Sequence, residues 1–206
     1  MNAEQIPDII ISRLPVYLRA LQWLSEQGAH TTSSQELGAS VGISAAQIRK
    51  DLSQFGEFGK QGTGYHIPFL IEKLQNILHV DRVWDVAIVG MGDMGHALAR
   101  YQGFSNRGFH IVMAFDNNPA LIGTKVGHFV IHDAANLVHD IREAGIKIAM
   151  LTVPAAAAQE ITDKLVEAGI KAILNYAPIN LKVSDGVHIQ YIDPSIGLQR
   201  MAFYLS

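Results

Sequence analysis

The residues in this chain best suited to chemistry are three glycines in the run Gly90-Met91-Gly92-Asp93-Met94-Gly95, directly after the apolar stretch Val86-Ala87-Ile88-Val89. Between a strand and a helix, Gly-x-Gly-x-x-Gly does three things. The first glycine makes the tight turn, the second lets a pyrophosphate approach backbone, and the third lets the helix pack close on the strand. The chemistry implied is dinucleotide binding, with the anion facing the helix start. A second apolar stretch, residues 111–115, ends in Asp116, where a carboxylate can accept from the ribose hydroxyls of the adenosine half. Asn117 and Asn118 follow in place of Arg or Lys, so a 2′-phosphate has no cationic partner and NAD(H) is favoured over NADP(H). Met91, Asp93 and Met94 join the glycines and Asp116 as candidate contacts by their place in the loop. Asp93 has two readings: a negative charge set against the pyrophosphate, or an acid that stabilises the helix start.

Catalysis is poorly supported. A dehydrogenase needs a proton donor and a substrate-orienting group near the nicotinamide. The later loops, residues 152–156 and 175–178, offer no His, Lys, Arg or carboxylate. His128 and His132 are four apart, but on a segment that reads as strand and turn, so helical metal-ligand spacing does not apply. The absence of cysteine excludes a disulfide framework, a thiolate metal site and a thiol sensor.

A second constellation lies near the N-terminus. Ser33-Ser34-Gln35-Glu36 and Ser44-Ala45-Ala46-Gln47 both have the form of capping boxes, and Val41-Gly42-Ile43 reads as a turn between the helices they open. Two short helices about a glycine turn are the sequence form of helix-turn-helix. On a wheel through the second helix, expected to end at Phe55, Leu52 and Phe55 fall within about 40° of Ile48, and all three face a core. The opposite side collects Ala46, Lys50, Ser53 and Gln54, flanked by Gln47 and Arg49. Cations, amides and small residues on one face suit a major-groove helix; a solvated surface helix gives the same wheel. Glycines about three apart across residues 56–65 suit a β-hairpin wing, with Lys60 at its tip.

Around these sites the hydrophobic period changes near residue 80, which divides the 206 residues into a helical domain over 1–80 and a second domain over 81–194. In the first, a helix is expected to open at Ser12 and run to about Gln27, and a linking helix to span residues 67–80. In the second, strands at 86–89, 111–115, near Phe129, 148–153, 172–174 and 187–191 alternate with helices, the pattern of a Rossmann-like parallel sheet covered on both faces. The expected fold is therefore α/β, a winged helix-turn-helix domain followed by a parallel-sheet domain. Residues 195–206 form a short helix-like segment in which Ile196, Leu198, Met201, Phe203 and Leu205 are too apolar to stand free in water.

Composition sets limits. Net charge is −3, and residues 1–80 hold six Lys/Arg against seven Asp/Glu, so bulk charge gives no support to a nucleic-acid partner and any DNA contact must come from local clustering. No apolar run approaches a membrane span of roughly 18 residues, and residues 1–7 carry no basic signal head, so a cytoplasmic protein without membrane contact is expected.

Several motifs in collinear order resemble one family, the Rex redox-sensing repressors. They are Arg13-Leu14-Pro15-Val16-Tyr17-Leu18-Arg19, Ser33-Ser34-Gln35-Glu36-Leu37-Gly38, Ile48-Arg49-Lys50-Asp51-Leu52-Ser53, Gly62-x-Gly64-Tyr65, the dinucleotide loop, and Leu174-Asn175-Tyr176-Ala177-Pro178. The resemblance covers nearly the whole chain. It implies a homodimer whose C-terminal helix exchanges between subunits. Its winged helices would bind double-stranded DNA at an inverted-repeat operator upstream of fermentative or respiratory genes, with NADH releasing the DNA and NAD+ competing. It also implies DNA contacts at Arg49, Lys50 and Lys60, and a polar link between the domains through Arg19, Tyr101 and Asp193, with Tyr101 near the cofactor. Pro194 stands where the resemblance implies a bulky apolar residue. The competing reading is a small NAD- or CoA-dependent enzyme, since CoA-binding domains share this core; such an enzyme has no need of the first 80 residues.

Overall fold

The computed structural model describes residues 6–60 and 64–205. The chain divides into two compact units, Met1–Arg82 and Val83–Ser206.

The first unit runs α1 (Asp8–Ile11), α2 (Leu14–Glu26), β1 (Thr31–Thr32), α3 (Ser34–Val41), α4 (Ala45–Ser53), β2 (Gly59–Lys60), β3 (Gly64–His66) and α5 (Ile67–Ile77). The helix expected to open at Ser12 opens two residues later, at Leu14, and a short helix that the sequence did not suggest precedes it. Ser12 closes α1, its hydroxyl donating to the Ile9 carbonyl at 3.0 Å, and α2 starts beyond it with Pro15 in the first turn, where a missing N–H costs nothing. The capping box of α3 is complete: Glu36 N–H donates to Ser33 Oγ at 3.1 Å, and Ser33 N–H donates to Glu36 Oε2 at 2.8 Å. Gly42, at φ 70°, ends α3 in the left-handed region that glycine enters freely, which turns the chain into α4.

The box expected at α4 is only half formed. Ser44 Oγ accepts from Gln47 N–H at 3.2 Å, but the Gln47 side chain does not reach back; it donates to Asp51 Oδ1 at 2.7 Å. Its NH₂ is anchored on the buried carboxylate, which draws the amide away from the Ser44 N–H that its oxygen would otherwise accept from. The helix ends at Ser53, two residues earlier than expected, and Phe55 is only partly buried. Leu14, Tyr17 and Leu21 of α2 close a core with Leu37, Ile48, Leu52, Leu70 and Leu74.

β2 and β3 pair antiparallel as the expected hairpin, and β1, too short to register as an alternating pattern, adds a third strand against β3. Gly62 and the Lys60 side chain lie outside what the structure describes.

The second unit contains β4 (Trp84–Val89), α6 (Asp93–Ala99), β5 (Phe109–Asp116), β6 (Lys125–Val126), β7 (Phe129–Asp133), α7 (Leu137–Ala144), β8 (Ile148–Leu151), α8 (Ala155–Glu167), β9 (Ala172–Asn175), β10 (His188–Tyr191) and α9 (Pro194–Ala202). The sheet order is β10-β9-β8-β4-β5-β7-β6, parallel throughout except that β6 runs antiparallel to β7. Successive residues of β4 face opposite cores. Ala87 and Val89 pack with Leu137, Ile141 and Leu165 from α7 and α8; Val86 and Ile88 pack with Ile111, Phe129 and Leu98. Burial on both faces is why β4 reads as an unbroken apolar run. The first strand therefore has β5 on one side and β8 on the other, and the crevice at this reversal, outside the carboxyl ends, is where doubly wound sheets take ligands.

Candidate dinucleotide and nucleic-acid sites

Three loops meet at that crevice. Gly90 leaves β4 at φ 98°, and a Cβ on it would lie 2.9 Å from the Thr152 carbonyl carbon and oxygen. The Thr152 hydroxyl sits 2.6 Å from the Gly90 carbonyl oxygen and 3.0 Å from that of Val89, and shares its proton between them. A Cβ on Gly95 would land on the Gly90 carbonyl oxygen. Gly92 differs: its φ is −70°, and a Cβ there would meet no protein atom within 4 Å. The fold needs glycine at 90 and 95, and gives no reason for one at 92.

Asp116, at the end of β5, holds the loop from the other side. Its Oδ2 accepts from Met91 N–H at 2.6 Å and its Oδ1 from Asn118 N–H at 2.8 Å. A carboxylate with both oxygens fixed by backbone donors is ordered before any ligand arrives. These loops enclose a cavity of about 610 Å³, lined among others by Gly92, Asp93, Met94, Asp116, Asn118 and Pro154.

Of the expected cofactor contacts, Gly90, Gly92, Asp93, Met94 and Asp116 line this cavity. Met91 offers only backbone, because its side chain is buried in the core beneath β4. Gly95 lies just behind, against Gly90. Asp93 stands in the first turn of α6. Tyr101 is not among the lining residues: it is exposed, its ring packs edge-on against Phe104 at 4.9 Å, and its hydroxyl accepts from Arg107 Nη1 at 3.5 Å. Asp193 caps α9, its Oδ1 accepting from Ser195 N–H at 2.8 Å, which holds the carboxyl below its ordinary value. Pro194 then occupies the first helical position, which suits its ring. No hydrogen bond joins Tyr101 and Asp193 among the described residues. Arg19, exposed on α2, belongs to the first unit.

His128 and His132 have separate partners, the Ile111 carbonyl at 3.2 Å and Asp140 Oδ2 at 2.9 Å. Among the described residues no cluster of three or more His, Cys, Asp or Glu could hold a metal, and no helix is long and apolar enough to cross a membrane.

In the first unit, Ile48 and Leu52 are buried, and Ala46, Arg49, Lys50, Ser53 and Gln54 are exposed on α4, as the wheel places them. Arg49 Nη1 donates to Ser34 Oγ at 2.8 Å, which steadies the guanidinium between α3 and α4. Ser53 Oγ donates to the Lys50 carbonyl at 2.8 Å. Gln47 is only half exposed and is engaged by Asp51.

Asp51 itself had no role in the sequence reading, yet it is fully buried. Arg13 grips it with both Nε (2.6 Å, to Oδ2) and Nη2 (2.7 Å, to Oδ1), and the Tyr17 hydroxyl donates to Oδ2 at 2.7 Å. Burial alone would raise this carboxyl, but hydrogen bonds from Arg13, Tyr17 and Gln47 outweigh it and hold the group below the usual carboxylate value. Burial, and then the bond to Asp51, push the Tyr17 phenol up. The signal was present: on the wheel Asp51 falls about 60° from Ile48, on the core side. Thr152 was also missed, and its cue was only its place directly after a sheet strand.

Fold and sites together define a class: a helix-turn-helix unit with a small antiparallel sheet, joined in one chain to a dinucleotide-type parallel sheet. Residues 5–53 match the family described as putative DNA-binding protein N-terminus, and residues 81–179 match the CoA binding domain. Over full length the chain is 50% identical to the redox-sensing transcriptional repressor Rex of Chloroflexus aggregans, covering 100% of this chain and 97% of that one. It is 52% identical to the Rex of Chloroflexus aurantiacus strain J-10-fl, covering 97% and 94%. Among solved structures it is similar to RSP, a Rex-family repressor, in complex with β-NAD+ and operator DNA (TM-score 0.92, 38% identity, 97% of this chain and 92% of that one). It is also similar to RSP in complex with β-NADH (TM-score 0.90, 36% identity, 98% and 94%). The chain belongs to the Rex family of redox-sensing transcriptional repressors. These relatives are named as repressors, not enzymes.

Proposed function

We infer that this chain is a transcriptional repressor that binds an inverted-repeat operator as a homodimer in the cytoplasm and is released from it by NADH. The observation that carries the reading is its likeness, over nearly its whole length, to a protein solved both with β-NAD+ and operator DNA and with β-NADH. The sites support it from below. Asp116 and the loop around Gly92 suit a ribose and a pyrophosphate, and α4 turns Arg49 and Lys50 outward. Arg49, Lys50, Ser53 and the wing at Lys60 form the DNA-contacting set in this reading.

A ligand moves a two-state equilibrium only by its difference in affinity for the two states. NADH and NAD+ share every phosphate and ribose, so the difference lies at the nicotinamide, neutral in one and cationic in the other. An apolar pocket at the subunit interface favours the neutral ring, since desolvating a cation is costly. Closure around NADH turns the winged helices out of register with half-sites spaced by the DNA repeat. Arg19, Tyr101 and Asp193 are assigned to this coupling. The partner surface is α9 and the turn after it. Among the described residues no side chain of α9 is buried, and Ile196, Leu198, Met201 and Leu205 are between 63% and 87% exposed. Burial against a second copy removes that surface from water at about 25 cal/mol per Å².

The match to a CoA binding domain keeps one alternative ligand in view. A gel shift on an inverted-repeat operator, with NADH, NAD+ and CoA added separately, tests the whole reading. NADH alone is expected to release the DNA. Release by CoA would replace the cofactor assignment, and failure to bind the operator would overturn the repressor reading.

A further inference from the structure

The DNA-binding unit contains a polar cluster that its apolar core does not require. Asp51 is 0% exposed, and its two oxygens accept four hydrogen bonds, two from Arg13 and one each from Tyr17 and Gln47, all between 2.6 and 2.7 Å. Since a carboxylate only accepts, the Gln47 amide must present its NH₂ to it. Arg13 and Tyr17 lie one turn apart at the start of α2, and Gln47 and Asp51 one turn apart on α4. The cluster thus ties two helices at a single point with a fixed plane, because the arginine fork engages both oxygens at once.

A buried ion pair is weak evidence for stability; its better-attested use is to fix register. Register is what base reading needs. The apolar contacts of Ile48 and Leu52 are non-directional and tolerate a small rotation of α4. On a helix of about 10–12 Å diameter, a rotation of about 20° moves atoms at the rim by about 2 Å. Hydrogen bonds to base edges survive only a few tenths of an ångström. The clamp, not the core, is stiff enough to hold that tolerance.

We propose that Asp51 is a positioning residue for sequence readout: clamped by Arg13 and Tyr17, it fixes the rotation of α4, and Gln47 serves to hold the helix and does not read DNA. This rests on the repressor reading above. The reading face is then Ala46, Arg49, Lys50, Ser53 and Gln54, with Gln47 withdrawn from it.

The test titrates operator and random-sequence duplexes in parallel with full-length wild type, Asp51→Asn, Arg13→Lys and Gln47→Ala, with NADH affinity measured for each. Lysine at position 13 keeps the charge and loses the fork, which separates geometry from charge and decides the matter if Asp51→Asn does not fold. The preference for operator over random DNA is expected to fall about tenfold or more in each variant. Affinity for random DNA, set by phosphate contacts, is expected to stay within about twofold, and NADH affinity to stay at the wild-type value. In Gln47→Ala the loss should spread over every single-base-pair variant of the operator. Relaxed discrimination at one base pair only would make Gln47 a reader and overturn the assignment. Unchanged preference in Arg13→Lys, or equal loss on operator and random DNA, would also overturn it, the latter by showing mere loss of fold. If wild type itself does not prefer operator DNA, the repressor reading falls and the proposal falls with it.

Discussion

Glycines 92 and 95 stand in one motif but for different reasons, and alanine at each should separate them. At 95 the added Cβ would land on the Gly90 carbonyl oxygen, with the Gly90 carbonyl carbon 3.0 Å and the Thr152 hydroxyl 3.3 Å away. Backbone must move. Overpacking of this kind costs about 1–3 kcal/mol, and displacing the Gly90 carbonyl also weakens the 2.6 Å bond from Thr152, worth about 0.5–1.5 kcal/mol net. Alanine in a helix returns up to about 1 kcal/mol. Gly95→Ala should therefore destabilise the second unit by about 1–3 kcal/mol and weaken NADH binding as a consequence. At 92 the backbone already suits an L-residue and the space is open, so Gly92→Ala should change stability by less than about 0.5 kcal/mol. Its Cβ would, however, enter the volume assigned to the pyrophosphate, and NADH affinity should fall at least about tenfold, or about 1.4 kcal/mol. Trp84 opens β4 and Trp23 belongs to the other unit, so urea unfolding followed by Trp84 fluorescence in a Trp23→Phe background reads the second unit alone. Calorimetry reads NADH. A Gly92→Ala protein that binds NADH like wild type would refute the placement of the pyrophosphate. A Gly95→Ala protein of unchanged stability would refute the packing argument.

Asp116→Ala removes the acceptor for Met91 and Asn118 N–H together with the ribose contact, so NADH should bind at least about tenfold more weakly while operator binding persists; equal NADH affinity by calorimetry would remove Asp116 from the site. Deleting residues 195–206 should yield monomers or aggregates by light scattering, and a well-behaved dimer would contradict the interface. Because the folded-state value of Asp51 is lowered, its contribution to stability is fully present above the ordinary aspartate value of about 3.9 and is lost as pH falls through the lowered one. In a Trp84→Phe background, where Trp23 reports the first unit alone, the protein with Asp51 intact should therefore lose stability below about pH 4 more steeply than its Asp51→Asn counterpart; parallel curves would deny the linkage.

What could be read in the sequence was what repeats or what local sterics force. The run over β4 is apolar without alternation because both its faces are buried, and the loop glycines are spaced by the turn they make. The exposed face of α4 followed from placing Ile48, Leu52 and Phe55 on the core side. Elements of two residues carry no period, so β1 and β6 were invisible. Gln47 was read as closing a cap because only local partners can be seen in sequence; its actual partner is local too, but is a strong acceptor only because residues 38 and 34 positions earlier, Arg13 and Tyr17, fold over it. Met91 was a candidate contact by its place in the motif, but its N–H is taken by Asp116 and its side chain by the core.

Charge and assembly are best understood together. The first 80 residues are not basic, and α4 offers only Arg49 and Lys50 to a polyanion, so the electrostatic attraction one unit can provide is small. Two such units held together in the proposed homodimer would act on two half-sites, the second engagement being intramolecular, which multiplies affinity without any new contact. The uncovered apolar helix at the other end of the chain would supply that linkage. Weak single-unit binding then becomes useful: a ligand that changes the spacing of the pair removes the whole gain from double engagement without touching either recognition helix. A strongly basic unit would stay bound through one half-site and blunt the response. On this view the slightly acidic balance that gave no support to a DNA partner would make the proposed repressor releasable, and the stiffness that Asp51 confers on α4 would leave the spacing of the pair as what a ligand changes.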